Sequence, residues 1–294
     1  MAGVKNIGDI AVARIEELGG PVFGPQSLIP DWNDADVAPH MKWMVPDHFD
    51  PASGNMCGVF QSWLLKTKHH TILIDTCVGN DKDRPGFDRF HRAKHPWMEN
   101  LLKAGYHPND IDIVMCTHLH VDHVGWNTKL ENGRWVPTFP KARYLFAKAD
   151  RDYWDPKTGG HSAMAMNEVM FNDSVLPVIE SGQAQLVSGV HEIEAGIEIH
   201  PAPGHTPGTI VLKANSGDKR AIFAGDCMHH PIQIYHPEWG VSVDEDKEQA
   251  YKTRVNIYEE CVEKRSLLVP AHFAAPHACH VHREGKAFAP DFRI

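Results

Sequence analysis

Residues 110–126 read "DIDIVMCTHLHVDHVGW". The first half is a short apolar run suited to a buried strand, and the second half sets His118, His120, Asp122 and His123 in the pattern H-x-H-x-D-H. Packing does not account for four such polar side chains in six positions. Metal ligation does, because imidazole and carboxylate suit zinc and other borderline divalent ions. A strand that delivers ligands at its carboxyl end points to a layered α/β domain, in which sites collect outside the strand ends.

The same signature, a strand followed by a polar loop, recurs in "GIEIHPAPGHTPG", "AIFAGDCMHH" and "LLVPAHF", which contribute His205, Asp226 and His272. Taken alone, His205 could be a turn residue between Pro203 and Pro207, and Asp226 could cap a helix. Taken with the histidine loop, in this chain order, they read as ligands. Five histidines and two aspartates are too many for one tetrahedral ion and suit two ions that share a bridging carboxylate. The 21 histidines among 294 residues agree with a metal protein.

Other segments supply a scaffold. "GVFQSWLLKT" and "HTILIDTCVG" read as a hairpin, and residues 91–106 as a helix that stops at Gly105. "RYLFAKADRDYW" reads as strand then helix, and the spacing of Tyr251, Val255, Tyr258 and Val262 predicts a helix over 245–265. Residues 20–55, rich in Pro, Gly, Asp and Trp, read as a long ordered loop within a loop-rich extension, 1–55. Residues 155–182, with Met164, Met166, Met170 and Phe171, could form an adaptable lid or pack as an ordinary helix. The expected organisation is a single domain, 1–294.

Composition narrows the function. Hydrophobic content of 42% and charged content of 23% are ordinary for a soluble globular protein. A net charge of -9 with no Lys/Arg block argues against nucleic acid as a partner, since phosphate binding needs clustered positive charge, and favours a small-molecule substrate. No apolar run approaches the ~20 residues of a spanning helix, so no membrane partner is expected. The start lacks a secretory pattern, and the six cysteines show no C-x-x-C pair, so free thiols and a cytoplasmic location are expected.

H-x-H-x-D-H, then a lone His in a Pro-Gly turn, then Gly-Asp, then a late Pro-Ala-His resembles the metallo-β-lactamase superfamily over about residues 55–275. The resemblance implies an αββα sandwich, two mixed β-sheets flanked by helices, with a two-metal site at one edge. It implies that His118, His120 and His205 hold one ion, that Asp122, His123 and His272 hold the second, and that Asp226 bridges them. The cofactors implied are two divalent metal ions, zinc first, with iron, manganese or cobalt accepting the same ligands. A hydroxide shared by two such ions would attack an electrophile, with Asp122 ahead of Asp226 as the catalytic carboxylate that moves the proton.

Departures from the superfamily's branches point further. Dinuclear β-lactamases place Cys or a small non-bridging residue where Asp226 stands. Glyoxalase II-like thioesterases carry a helical domain after the last His, whereas 22 residues follow His272 here. Superfamily nucleases bring positively charged exosites, and flavin-partnered di-iron members have Glu in place of His120. What remains resembles the lactonase and organophosphate-hydrolase branch, to which "GDCMHHPIQIYHPEW" from Gly225 on is similar in style, and the resemblance implies hydrolysis of a carboxylic ester or lactone. An organophosphate triesterase, a thioesterase, a β-lactam hydrolase, a mononuclear-iron sulfur dioxygenase and a non-enzymatic metal sensor are the alternatives.

Around the site, His229 and His230 could touch substrate or orient a ligand, although backbone-bonded loop histidines are the simpler reading. Trp63 and Trp126 read as core. Trp32 and Trp43 could cover the site or form a homodimer contact. "HACHVH", with His277, Cys279, His280 and His282, has ligand-like density but reads as a solvated tail. Gly125 is expected to supply a backbone angle that Ala resists.

Overall fold

The structure is a computed structural model that describes residues 4–158 and 165–294. The chain forms two compact units. The loop unit comprises Ile10–Leu18 and Phe60–His191, and the terminal unit comprises Met1–Asp9, Gly19–Val59 and Glu192–Ile294. The strands Ile10–Phe23 and Asn55–Lys66 have residues in both. Mixed sheets with helices make this an α/β protein, as the sequence predicts.

In the loop unit the predicted hairpin forms, with Trp63 opposite Ile74. The strands Thr71–Ile74, Ile113–Met115, Arg143–Ala147 and Ala184–Val187 then pair in parallel. Both faces are covered at the inner strands of a parallel sheet, which is why Thr71–Ile74 and Ile113–Met115 are buried throughout, whereas the outer Ala184–Val187 keeps a half-buried Gln185 and an exposed Leu186. Leu64, Leu73, Val114, Tyr144 and Phe146 join Trp97, Leu101 and Trp126 in its core. The helix there runs only over Trp97–Lys103, shorter than the 91–106 expected. Pro96 is its N-cap, and a residue before proline is pushed out of helical geometry. The preceding loop is held instead by His95, whose N–H donates to Asn80 Oδ1 at 2.8 Å.

In the terminal unit, Ile197–Pro201, Ile210–Ser216 and Lys219–Gly225 form an antiparallel run. Lys219–Gly225 then pairs in parallel with Leu267–Pro270, and the 18-residue helix Lys247–Lys264 makes the crossover between them. Asp246 caps that helix through Gln249 N–H, and Arg265 ends it in the left-handed conformation at φ 53°. A register shift between Phe223 and Gly225 breaks the parallel pairing immediately before Asp226. Such a bulge re-aims the following side chain.

The N-terminal stretch is more regular than a loop reading suggests. Ile10–Phe23 is a 14-residue strand, and Pro25–Leu28, Asp34–Val37 and Met41–Met44 are short helices. Pro25 opens one and the Asn33 side chain caps another, both local signals too brief for a helical period to reveal. Trp32 packs with Ile29, Phe49, Ile232 and Trp239 in a second core of this unit, while Trp43 is half-buried.

Of the lid candidates, Met170 and Phe171 are buried in the loop unit's core and so pack as helix. Met164 and the side chain of Met166 lie outside the described residues. All six cysteines are free, and all but Cys57 are buried. Cys279 belongs to the terminal unit's core, and His277 Nδ1 donates to Phe273 O at 2.9 Å, so both serve the fold. Among the described residues, no helix is long and apolar enough to cross a membrane.

Candidate metal centre

The histidine loop starts where the strand Ile113–Met115 ends. The ring of His118 lies 4.6 Å from that of His120 and 4.1 Å from that of His123, centroid to centroid. His123 Nε2 is 3.6 Å from Asp122 Oδ2. Three buried carboxylates fasten the loop from outside. Asp150 Oδ2 accepts from Leu119 N–H at 2.8 Å. Asp75 accepts from the Thr117 N–H at 2.7 Å and from its hydroxyl at 2.8 Å. Glu17 accepts from the Val78 and Gly79 N–H groups at 2.7 and 3.1 Å and from Trp126 Nε1 at 2.8 Å. Burial raises the Glu17 carboxyl above its ordinary pKa against those donors.

Gly125 has a different role from the one expected. Its φ is not among the positive angles of the chain. The constraint is space, since a Cβ there would meet the Val78 carbonyl oxygen at 1.8 Å. The loop therefore lies backbone to backbone on the segment that Glu17 holds.

In the terminal unit, three ligand candidates arrive from three strand ends and meet at Asp226. His272 Nε2 is 3.1 Å from Asp226 Oδ1, His229 Nε2 is 3.0 Å from Oδ2, and His205 Nε2 is 3.5 Å from Oδ2. All four side chains are buried, and the ligand atoms of His205, Asp226 and His229 lie within 4.8 Å of one another. His230 is not part of this group, because its Nε2 bonds the His48 carbonyl at 3.0 Å.

Hydrogen-bond logic fixes the tautomers of four histidines. A carboxylate or a carbonyl can only accept. His123 Nδ1 therefore donates to Asp75 Oδ2 at 2.9 Å, His205 Nδ1 to Asp244 Oδ1 at 2.9 Å, and His272 Nδ1 to Val59 O at 2.8 Å. The Thr117 hydroxyl proton is committed to Asp75, so Thr117 Oγ1 accepts from His118 Nδ1 at 3.1 Å. In each neutral imidazole the lone pair is left on Nε2, the arrangement that metal-ligating histidines adopt. His229 differs: its Nδ1 has no partner among the described residues, and its Nε2–H donates to Asp226.

The donor set fits a divalent ion. Around Asp226, the Nε2 lone pairs of His205 and His272 face a carboxylate, and a cation is what turns that juxtaposition from repulsive to attractive. Burial holds His229 below the ordinary imidazole pKa against the pull of the Asp226 carboxylate.

Each predicted ligand thus falls in one of two sets: His118, His120, Asp122 and His123 in the loop unit, and His205, Asp226 and His272 in the terminal unit. Trp63 and Trp126 are core, as expected. Sequence reasoning missed Asp75, Glu17, Asp150 and Asp244. An Asp that follows the apolar run "TILI" was a signal for Asp75. Nothing local marked the other three.

A family model described as the metallo-beta-lactamase superfamily matches residues 56–279. An N-acyl homoserine lactonase of Bacillus sp. is 27% identical over 157 residues, which is 50% of this chain and 54% of that protein. One of Bacillus cereus is 25% identical over the same shares. The chain therefore spans about half the length of the curated relatives it matches. Among solved structures, AidC, a dizinc quorum-quenching lactonase in complex with a product, aligns at a TM-score of 0.78 and 21% identity over 97% of this chain and 95% of that one. The hydrolase AbOPH of the beta lactamase superfamily aligns at 0.82 and 22% over 99% and 97%. Those two likenesses show the fold.

Proposed function

Because the chain belongs to the metallo-beta-lactamase superfamily, we propose that it is a metal-dependent hydrolase that opens lactones or cleaves small carboxylic esters, with N-acyl homoserine lactones the first substrates to test. The observation that carries the reading is the common anchoring of His118, His123, His205 and His272, each held through Nδ1 by Thr117, Asp75, Asp244 and the Val59 carbonyl in turn, the orientation in which Nε2 is the ligand atom. The names of the curated relatives support the lactone. In this reading His118, His120 and His205 would hold one divalent ion, Asp122, His123 and His272 a second, and Asp226 both. When bound, such ions, zinc first, supply a water of lowered pKa and a Lewis acid for the substrate's carbonyl oxygen.

The chain's own groups then handle the proton and the alignment. Asp122 takes the water's proton on its carboxylate and returns it to the leaving alkoxide. Its side chain is 16% exposed where that of His123 is 2%, which gives Asp122 the access such a role needs. His229, donating to Asp226 Oδ2, keeps that carboxylate in one orientation.

A panel of lactones, aryl esters, thioesters, β-lactams and phosphotriesters tests the proposal, run on metal-loaded protein alongside elemental analysis. We expect two ions per chain, fastest turnover of a lactone, loss of activity to a chelator with recovery on adding zinc, and indifference to serine-directed reagents. Fully metallated protein that ignores lactones and esters but cleaves another class would sink the substrate assignment. A ceiling of one ion would sink the two-ion assignment.

A further inference from the structure

We infer that Arg254, on the long helix of the terminal unit, is a positioning residue that locks the loops carrying His205 and Asp226 into one arrangement. The inference rests on the metal-ligand reading of those two side chains and assigns what holds them. Arg254 is 1% exposed, and its guanidinium reaches three separate segments. Nε–H donates to Cys227 O at 2.9 Å, the residue directly after Asp226. An Nη1–H donates to Pro237 O at 2.6 Å, and Nη2 lies 3.5 Å from Asp244 Oδ2.

Asp244 passes this anchoring to His205. Its Oδ1 accepts from His205 Nδ1 at 2.9 Å while its Oδ2 accepts from Val241 N–H at 3.0 Å, so both oxygens are committed and the carboxylate cannot rotate. The same helix grips the other side of the His205 loop. Thr253 Oγ1 donates to Pro203 O at 2.6 Å, and Asp246 N–H donates to Gly204 O at 2.9 Å. At Gly204, with φ +134°, a Cβ would meet Ala250 N at 2.3 Å, so loop and helix backbones are in contact.

A guanidinium suits this position because it is planar, permanently charged and carries five donors in a fixed fork. An ammonium at the same place is a point charge and cannot bridge three segments in fixed directions. Arg84 provides a matched comparison in the loop unit: it is equally buried and binds the Asp173 carboxylate at 2.6 and 2.8 Å, but it touches neither a ligand candidate nor a ligand's neighbour.

The test measures zinc affinity by competition with a chromophoric chelator, together with the visible absorption of the cobalt-substituted protein and the melting temperature. Arg254→Met and Asp244→Ala should each weaken zinc binding by about 10- to 100-fold, the usual cost of removing a ligand's outer partner, and should shift the cobalt bands. Arg254→Lys should recover only part of the loss. Arg84→Met should lower the melting temperature while leaving zinc affinity and the cobalt spectrum unchanged. If Arg254→Met does not fold, Asp244→Ala carries the test alone. Undiminished zinc binding and an unaltered cobalt spectrum in the folded variants would overturn the inference, as would an equal zinc loss in Arg84→Met. A wild-type chain that takes up no zinc would overturn this inference and the metal reading beneath it together.

Discussion

In the loop unit one short loop carries His118, His120, Asp122 and His123, whereas in the terminal unit His205, Asp226 and His272 follow three different strands. The first arrangement is local. Once the loop has its shape, its ligands have theirs, and the loop is shaped by three carboxylates, Asp75, Asp150 and Glu17, that bond mostly to its backbone and to the segment beneath it. The second arrangement depends on sheet register, on a bulge before Asp226 and on a helix that grips the His205 turn. The difference implies that the loop set fails through damage to a few nearby contacts, while the terminal set fails whenever its strand ends lose alignment.

The largest expected effect concerns chemistry in the local set. Asp122→Asn, assayed with zinc in excess and its metal content checked by elemental analysis, should lower turnover of a lactone by roughly 100-fold or more, because proton transfer by a placed carboxylate contributes about that much. Near-wild-type turnover would hand the proton to another group and remove the functional asymmetry between the two sets. Next comes Asp75→Ala, which removes the acceptor for His123 Nδ1 and for Thr117 at once. Chelator competition should show zinc affinity lowered by about 10- to 100-fold. An unchanged value would mean that the loop holds its shape without that carboxylate.

Two glycines compare the units directly through stability. Gly125→Ala would drive a Cβ into the Val78 carbonyl, and Gly204→Ala into the Ala250 amide while also straining a positive φ. Each should cost about 1–3 kcal/mol or more of unfolding free energy in denaturant, the range for overpacking. If either is neutral, the backbone contact at that loop is looser than the distances state.

The smallest effect concerns a buried cation remote from the ligands. Lys82 Nζ lies 3.0 Å from Asp173 O and 3.5 Å from Asp173 Oδ1, and burial lowers its pKa to about 7 from an ordinary 10.5. Above pH 7 the folded chain sheds this proton while the unfolded chain keeps it, so stability should rise with pH through that window. Urea midpoints at pH 7 and 8.5 should show the rise in wild type and a flatter response in Lys82→Met. Parallel slopes in the two proteins would assign the pH dependence to other groups.

Much of this candidate site was legible in the sequence because ligand candidates announce themselves by type and position. His118 to His123 form a dense pattern, and His205, Asp226 and His272 each follow an apolar run, so strand and ligand could be read together. The supports were less visible. Asp244 and Arg254 belong to a turn and to a helix face, where charged residues are ordinary, and only the tertiary structure puts a guanidinium against Cys227 O. Gly125 was visible as special but for the wrong reason, because a close backbone approach across a loop has no local trace, whereas a turn angle does. The N-terminal strand leaves little trace in the sequence because its buried Ile10, Val12 and Ile15 do not keep a strict period of two and the inner face continues with a buried Glu17.

The distribution of thiols makes each unit its own reporter of opening. Cys77 and Cys116 lie in the loop unit, and Cys227, Cys261 and Cys279 in the terminal unit, and burial pushes all five well above the ordinary thiol pKa. A thiol that is both enclosed and protonated reacts slowly with alkylating reagents until its surroundings open. Half-buried Cys57 is the exception and should label first. With Cys57 blocked, the order in which the remaining thiols label under mild denaturant becomes a clock with two hands: one for the ligand set that a single loop carries, one for the set that three strand ends must keep aligned.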